Sequence, residues 1–291
     1  MEDLHITEPP KVECNEIPRN KLIRRFYDVL KQNNFDTNIL CSNAKDLDMF
    51  FVDKIRTDAV GGYNTFTNEI MMVKNRHFMD YITHEFFHMS STVRDDKKIY
   101  CGLMQQNADV GIGIGLTEGY TQLLNERYFE DITPTKKEHD VIVYPVTKKI
   151  AGWVEDIVGR EFMEDCYIRA DLDKLTMKLC EYVDDYKVLQ FLRDLDIYYL
   201  EGEEKVLGNL PKAMKAYSNC LLFILECGYY SLDKRYMNNE MTTDEYITIL
   251  EGLQKLQMIR LHVGLYGTFA SIPLDDEYYK KLKSKVRSRL I

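Results

Sequence analysis

Phe78-Met79-Asp80-Tyr81-Ile82-Thr83-His84-Glu85-Phe86-Phe87-His88-Met89 is a helical stretch with a reactive pattern set into it. An α-helix turns about 100° per residue, so His84 and His88 share one face with Cβ atoms roughly 5–6 Å apart, and both rings reach one ion. Glu85 points to the neighbouring side, where a carboxylate approaches a metal-held water as a general base without becoming a ligand. The spacing HExxH is that of zinc hydrolases. Apolar Phe78, Met79, Tyr81, Ile82, Phe86, Phe87 and Met89 cover most of the circumference, which predicts a largely buried helix. A His-Glu-His cluster in such a place must be paired or coordinate a metal. The alternative is a core helix whose histidines bond to backbone carbonyls and whose glutamate meets an Arg or Lys.

A hydrolytic zinc keeps three protein ligands and one position for water, so a third donor is required. Glu118, 30 residues beyond His88 in Gly115-Leu116-Thr117-Glu118-Gly119-Tyr120-Thr121, is the leading candidate. Thr117 reads as an N-cap, and Leu123, Leu124 and Tyr128 supply helical spacing. A glutamate in a first turn is also favoured simply by the helix dipole. Glu126 and Glu130 are rivals further along.

These residues resemble the gluzincin type of zinc metallopeptidase, with HExxH on one helix and a glutamate ligand on a following one. Gly61–Met72 (GGYNTFTNEIMM) looks like the strand that precedes the HExxH helix in such enzymes and lines their substrate cleft. GLTEGYTQLL at 115–124 is similar to the glutamate-bearing helix of uncharacterised cytoplasmic members from low-GC Gram-positive bacteria. The resemblance covers about 55–165. One departure stands out: the most studied branch has an acidic residue four positions after its glutamate ligand, where this chain has Gln122. Gln122, Asn125 or a backbone carbonyl is then left to hold a ligand's ring N–H.

Composition narrows the function classes. With 291 residues, 45% of them hydrophobic, the chain buries a large core as one two-lobed domain or two domains. A net charge of −9 argues against nucleic acid, since phosphate binding needs a basic face. The basic run Lys280, Lys281, Lys283, Lys285, Arg287 and Arg289 alternates with Leu282, Val286 and Leu290 as in a solvated helix with one apolar stripe. The start, MEDLHITEPPKVEC, lacks the basic and apolar regions of a secretory signal. No apolar stretch approaches the roughly 20 residues that span a bilayer. Seven cysteines without a CxxC pair read as reduced core thiols, and a cytoplasmic protein without a membrane partner is expected.

The expected fold is α+β. An extended lead-in at 1–16 precedes a zincin-like N-terminal lobe at 17–134, with a small sheet and the active-site helices. A mostly α-helical C-terminal lobe follows at 135–291. The first helix opens at Pro18 and Asn20 and turns Leu22, Ile23, Phe26, Val29 and Leu30 to one side. Strands are expected near 50–60, 68–73 and 98–104, and helices near 144–166, 171–194, 210–230, 243–263 and 275–289. Glu201-Gly202-Glu203-Glu204-Lys205 reads as an exposed polar loop. Gly111-Ile-Gly-Ile-Gly115 lacks the third glycine of a dinucleotide loop and any P-loop lysine, so it reads as a flexible connection into the Glu118 helix. The cleft between the lobes is the expected substrate site.

The expected activity is hydrolysis of peptide bonds. One zinc ion on His84, His88 and Glu118 activates a bound water, Glu85 takes its proton and later protonates the leaving amine, and a peptide or protein is the substrate. Tyr144, His139 and Tyr120 are candidates for the oxyanion donor, with Tyr144 preferred. The strand from Gly62 to Ile70 offers edge pairing to an extended peptide. The alternative is a non-catalytic helical interaction or regulatory protein that keeps a zincin scaffold, but a purely structural zinc has no use for a base at Glu85. The sequence carries no nucleophile elbow and no catalytic cysteine signature.

Overall fold

The computed structural model describes residues 12–13, 19–53, 55, 60–73, 81–95, 97–107, 110–129, 144–204 and 208–266. The chain is α+β, with small sheets in its first half and helices in its second. It divides into two compact units, one drawn from 1–111, 120–143 and 161–172, the other from 112–119, 144–160 and 173–291.

In the first unit, β1 (Val12–Glu13), β2 (Asp48–Val52), β3 (Gly61–Asn64) and β4 (Glu69–Val73) form a sheet of order β1-β2-β4-β3. β2 runs parallel to β4, and β3 pairs antiparallel with it, Tyr63 opposite Ile70. The alternation of the β-strand decides what β4 buries: Ile70 and Met72 face inward while Glu69, Met71 and Val73 are half-exposed. The stretch 61–72 is therefore a hairpin and not one strand. Asn64 Oδ1 accepts the Phe66 N–H at 2.9 Å, and Asn68 takes φ 60°, so the chain reverses between them.

α1 (Arg19–Gln32) turns Phe26 and Leu30 into the core, as its periodicity requires. α2 (Asn38–Asn43) leads to β2, and α3 (Ile82–Ser90) carries the His-Glu-His pattern. All nine residues of α3 are buried. Its Phe86 and Phe87 meet Phe26 edge-on at 5.5 and 5.0 Å, and Phe26 stacks on Phe129 at 5.2 Å. Each buried ring contributes about 1.5–3 kcal/mol, with about 0.5–1.5 more for each aromatic pair, so this cluster anchors α3 more strongly than helix propensity does.

A second sheet has the order β5 (Thr92–Arg94), β6 (Ile99–Cys101), β7 (Met104–Gln106), β8 (Gly111–Ile112). The strand expected at 98–104 is a hairpin, because Gly102 at φ 57° reverses the chain between β6 and β7.

The helical part contains α4 (Ile114–Phe129), α5 (Pro145–Val158), α6 (Arg160–Ile168), α7 (Leu172–Leu179), α8 (Asp185–Tyr198), α9 (Leu210–Met237) and α10 (Thr243–Tyr266). The helix expected at 171–194 is split by a turn after Leu179, where the Tyr182 and Val183 N–H groups bond back to its carbonyl. Residues 201–204 do not form an exposed loop. A π-helical segment, Tyr199–Glu203, extends α8, and Glu201 is buried with its carboxylate on Lys212 Nζ at 2.8 Å and the Asn209 N–H at 3.0 Å. Apart from β1, the lead-in at 1–16 lies outside the described residues, as do the helix expected at 275–289 and its basic run. No described helix is long and apolar enough to cross a membrane.

Candidate metal centre

α3 ends where Ser90, Ser91 and Thr92 turn their hydroxyls back on it. Ser90 Oγ and Ser91 Oγ each donate to the Phe87 carbonyl at 2.9 Å, and Thr92 Oγ1 donates to the His88 carbonyl at 2.7 Å. These bonds satisfy acceptors that a helix C-terminus otherwise leaves open. The last turn, which carries His88, is thereby fixed.

His84 and His88 are 6% exposed and Glu85 7%, so the pattern is a buried one. The two Nε2 atoms stand 3.1 Å apart. His84 Nδ1 lies 3.2 Å from Gln122 Oε1, and Gln122 Nε2 donates to Glu126 Oε1 at 3.0 Å. That second bond orients the amide with its oxygen toward the ring, which puts the ring proton on Nδ1 and the lone pair of His84 on Nε2. Gln122 is thus the ring holder among the alternatives the sequence left open. Asn125 has another task, accepting Thr83 Oγ1 at 2.5 Å and joining α3 to α4.

Glu118, half-exposed on α4 one turn before Gln122, completes the group: one carboxylate oxygen of Glu118 and one nitrogen of each histidine lie within 4.8 Å of one another. The donor set suits a divalent ion. Tetrahedral bonds of about 2.0–2.1 Å place two ligand nitrogens roughly 3.3 Å apart, close to the 3.1 Å observed.

Thr117 is not the N-cap of this helix. α4 begins at Ile114, and its first N–H groups are met by a carboxylate from far along the chain: Asp196 Oδ2 accepts from Gly113 at 2.8 Å and Oδ1 from Gly115 at 2.9 Å. Burial pushes Asp196 up to about 6, against backbone N–H bonds from Gly115, Gly113 and Ile114 that favour its charge. The glycine run is not a flexible connection either. A Cβ on Gly115 would lie 2.7 Å from the Leu195 carbonyl oxygen, and one on Gly119 would lie 2.4 Å from the Thr147 carbonyl. Both glycines allow backbone to approach backbone.

Tyr144 caps α5 in the left-handed conformation, φ 52° and ψ 51°, a costly one for a bulky residue. Its ring lies 5.5 Å from that of Tyr199 in the π-helical segment. Burial pushes the Tyr199 phenol far above its usual value, and the Glu118 carboxylate and a hydrogen bond with Tyr144 push it the same way. Glu203, on the same segment, accepts the Val146 N–H at 2.7 Å and the Thr147 hydroxyl at 2.6 Å, pinning the start of α5. Tyr120 is fully buried against Tyr167, rings 5.6 Å apart. Glu126 serves Gln122, while Glu130 and His139 lie outside the described residues.

Two neighbours of the centre have no signal in the sequence. Tyr199 sits in an ordinary helical run, and Cys101, whose Sγ is 3.7 Å from His88 Nδ1, reads as one more core thiol. Compared with family models, with curated proteins and with solved structures, the chain matches none.

Proposed function

We propose that the protein is a zinc-dependent peptidase of the gluzincin type, with a zincin-like N-terminal lobe. The observation that carries this reading is the convergence of His84, His88 and Glu118 within 4.8 Å, beside Glu85 on the same buried helix. Two imidazoles and one carboxylate would hold the ion and leave a place for water, the donor pattern of catalytic and not structural zinc. The ion supplies Lewis acidity, polarising a carbonyl and lowering the pKa of water toward about 7. Glu85 takes the proton of the attacking water and returns it to the leaving amine. Tyr144, held by Tyr199, donates to the developing oxyanion.

A peptide substrate is supported by β3, the end strand of its sheet, which packs against α3. An extended segment can add to such an edge through main-chain bonds. Buried free thiols at Cys101, Cys166, Cys220 and Cys227 support a reducing, cytoplasmic setting.

Digestion of a peptide library with and without chelator, run beside metal analysis, tests the reading. Wild type is expected to carry about one zinc per chain and to cleave only without chelator. His84→Ala loses the metal, and Glu85→Gln keeps metal and fold but not hydrolysis. Equal zinc in wild type and His84→Ala would discard the ligand set, and full activity in Glu85→Gln would remove the base.

A further inference from the structure

His88 differs from its companion ligand in what stands behind it. His84 is backed by the Gln122 amide, as metal-ligating imidazoles are usually backed by oxygen. Behind His88 Nδ1 stands a sulfur within hydrogen-bonding range, Cys101 Sγ at 3.7 Å. The same Sγ lies 3.5 Å from the His88 carbonyl oxygen. A carbonyl only accepts, so the thiol hydrogen points to it and Sγ keeps its lone pairs for the Nδ1–H of the same residue. Cys101 therefore grips His88 twice, once by its backbone and once by its ring.

The strand that carries Cys101 is suited to hold it still. β6 lies between β5 and β7, with Cys101 opposite Thr92 on one side and Met104 on the other. Thr92 itself donates to the His88 carbonyl at 2.7 Å, so the paired residues of β5 and β6 converge on one residue of α3. Cys101 is 1% exposed, and its sulfur is fixed by packing instead of by water.

We propose that Cys101 is the positioning residue of His88: its sulfur accepts the Nδ1 proton, fixes the ring tautomer and aims Nε2 at the ion. This rests on the metal reading given above. A thiol is a weaker acceptor than the carboxylate that often occupies such a place, so His88 remains a modest donor and the ion retains more of its Lewis acidity. Gln122 behind His84 is likewise an uncharged partner, and its amide in turn donates to Glu126.

The test uses the full chain, stripped of metal and titrated with zinc against a chromogenic chelator, and separately loaded with cobalt for its visible absorption. Cys101→Val keeps volume and strand preference but removes the acceptor; Cys101→Ser restores one. Loss of an outer partner costs about 10- to 100-fold in metal affinity, and that loss is expected for Cys101→Val, with altered cobalt bands. Cys101→Ser is expected to return close to wild type in both. Wild-type affinity and spectrum in Cys101→Val would overturn the assignment and reduce Cys101 to packing. Equal losses in both variants, tracking a fall in metal-free thermal stability, would also overturn it. If wild type binds zinc no better than His84→Ala, the metal reading itself fails and this inference goes with it.

Discussion

Asp196 accepts the Gly115 N–H at 2.9 Å, so the helix bearing Glu118 is capped by a residue 81 positions further along the chain. A local cap such as Thr117 would have started the helix four residues later and left Glu118 in its frayed first turn. The long-range cap places Glu118 inside regular helix. Losing an N-cap costs about 0.5–2 kcal/mol, and Asp196 serves more than one N–H group, so Asp196→Ala is expected near the upper end of that range. Chemical denaturation measures it, and zinc titration should show weaker binding as Glu118 loses its fixed place.

The same carboxylate makes stability depend on pH. Its folded-state pKa of about 6 lies above the ordinary carboxylate value, so the folded chain holds the proton more tightly than the unfolded one. That contribution is complete below roughly pH 4, and is lost as pH rises through 6. The stability of wild type relative to Asp196→Asn is expected to fall between pH 4 and 7. A difference that stays flat or grows over those values would contradict burial as the dominant influence on this group.

Gly119 and Gly62 make opposite predictions from the same substitution. A methyl group on Gly119 meets the Thr147 carbonyl carbon and oxygen at 2.4 Å, backbone atoms that cannot swing aside. Overpacking of this kind costs about 1–3 kcal/mol, and Gly119→Ala is expected at the top of that range with weakened zinc binding, because Glu118 is the adjacent residue. Gly62 has no atom within 4 Å of such a methyl, so Gly62→Ala is expected to leave thermal stability unchanged or slightly raised. Similar melting temperatures for the two variants would refute the close approach.

The local part of the centre was legible in the sequence and the long-range part was not. His84 and His88 are joined by helical periodicity alone, and the apolar residues around them announce a buried helix. Residue type and placement point to Glu118, but the start of its helix is not readable locally because the cap lies on α8. The glycines at 113 and 115 looked like a flexible link for the same reason: what they accommodate, Asp196 and Leu195, is distant in sequence. Cys101 and Tyr199 belong to a strand and a helix whose own patterns describe only their packing. Composition makes the polar run at 201–205 read as exposed, because the partners of Glu201 and Glu203, Lys212 and Thr147, lie elsewhere in the sequence.

Arg94 ties β5 to the β3–β4 turn. Its Nε donates to the Thr65 carbonyl at 2.7 Å, Nη1 to Asn43 Oδ1 at 2.9 Å and Nη2 to the Tyr63 hydroxyl at 2.6 Å. Asn43 in turn donates to the Met89 carbonyl in the last turn of α3 and to the Thr92 carbonyl at the start of β5, so the network links the edge strand to the His88 turn. A planar fork makes these bonds in fixed directions, which the single ammonium of lysine cannot reproduce. Arg94→Ala is expected to cost about 3 kcal/mol, since bonds from a charged group are worth about 1.5–3 each and several partners lose theirs. Arg94→Lys should recover only part of it. Hydrogen exchange along Gly61–Val73 reads the local effect, and unchanged protection in Arg94→Ala would show that the hairpin holds without this tie.

Tyr144 and Tyr199 stand with their rings 5.5 Å apart, a pairing from which the proposed catalytic role of Tyr144 makes a testable prediction. Tyr199 is buried near the Glu118 carboxylate, which disfavours its phenolate, and it is bonded to Tyr144. On the peptidase reading proposed above, Tyr144, at the very start of α5 and strained at φ 52°, is the donor to the substrate oxyanion. Removing one oxyanion donor costs about 10²–10³ in kcat, which is the loss expected for Tyr144→Phe with zinc content and KM unchanged. Tyr199→Phe touches substrate only through its neighbour, so a smaller loss is expected, and in the double variant the effects should be less than additive. Additive losses would show two independent roles, and a Tyr144→Phe enzyme with wild-type kcat would return this tyrosine to packing.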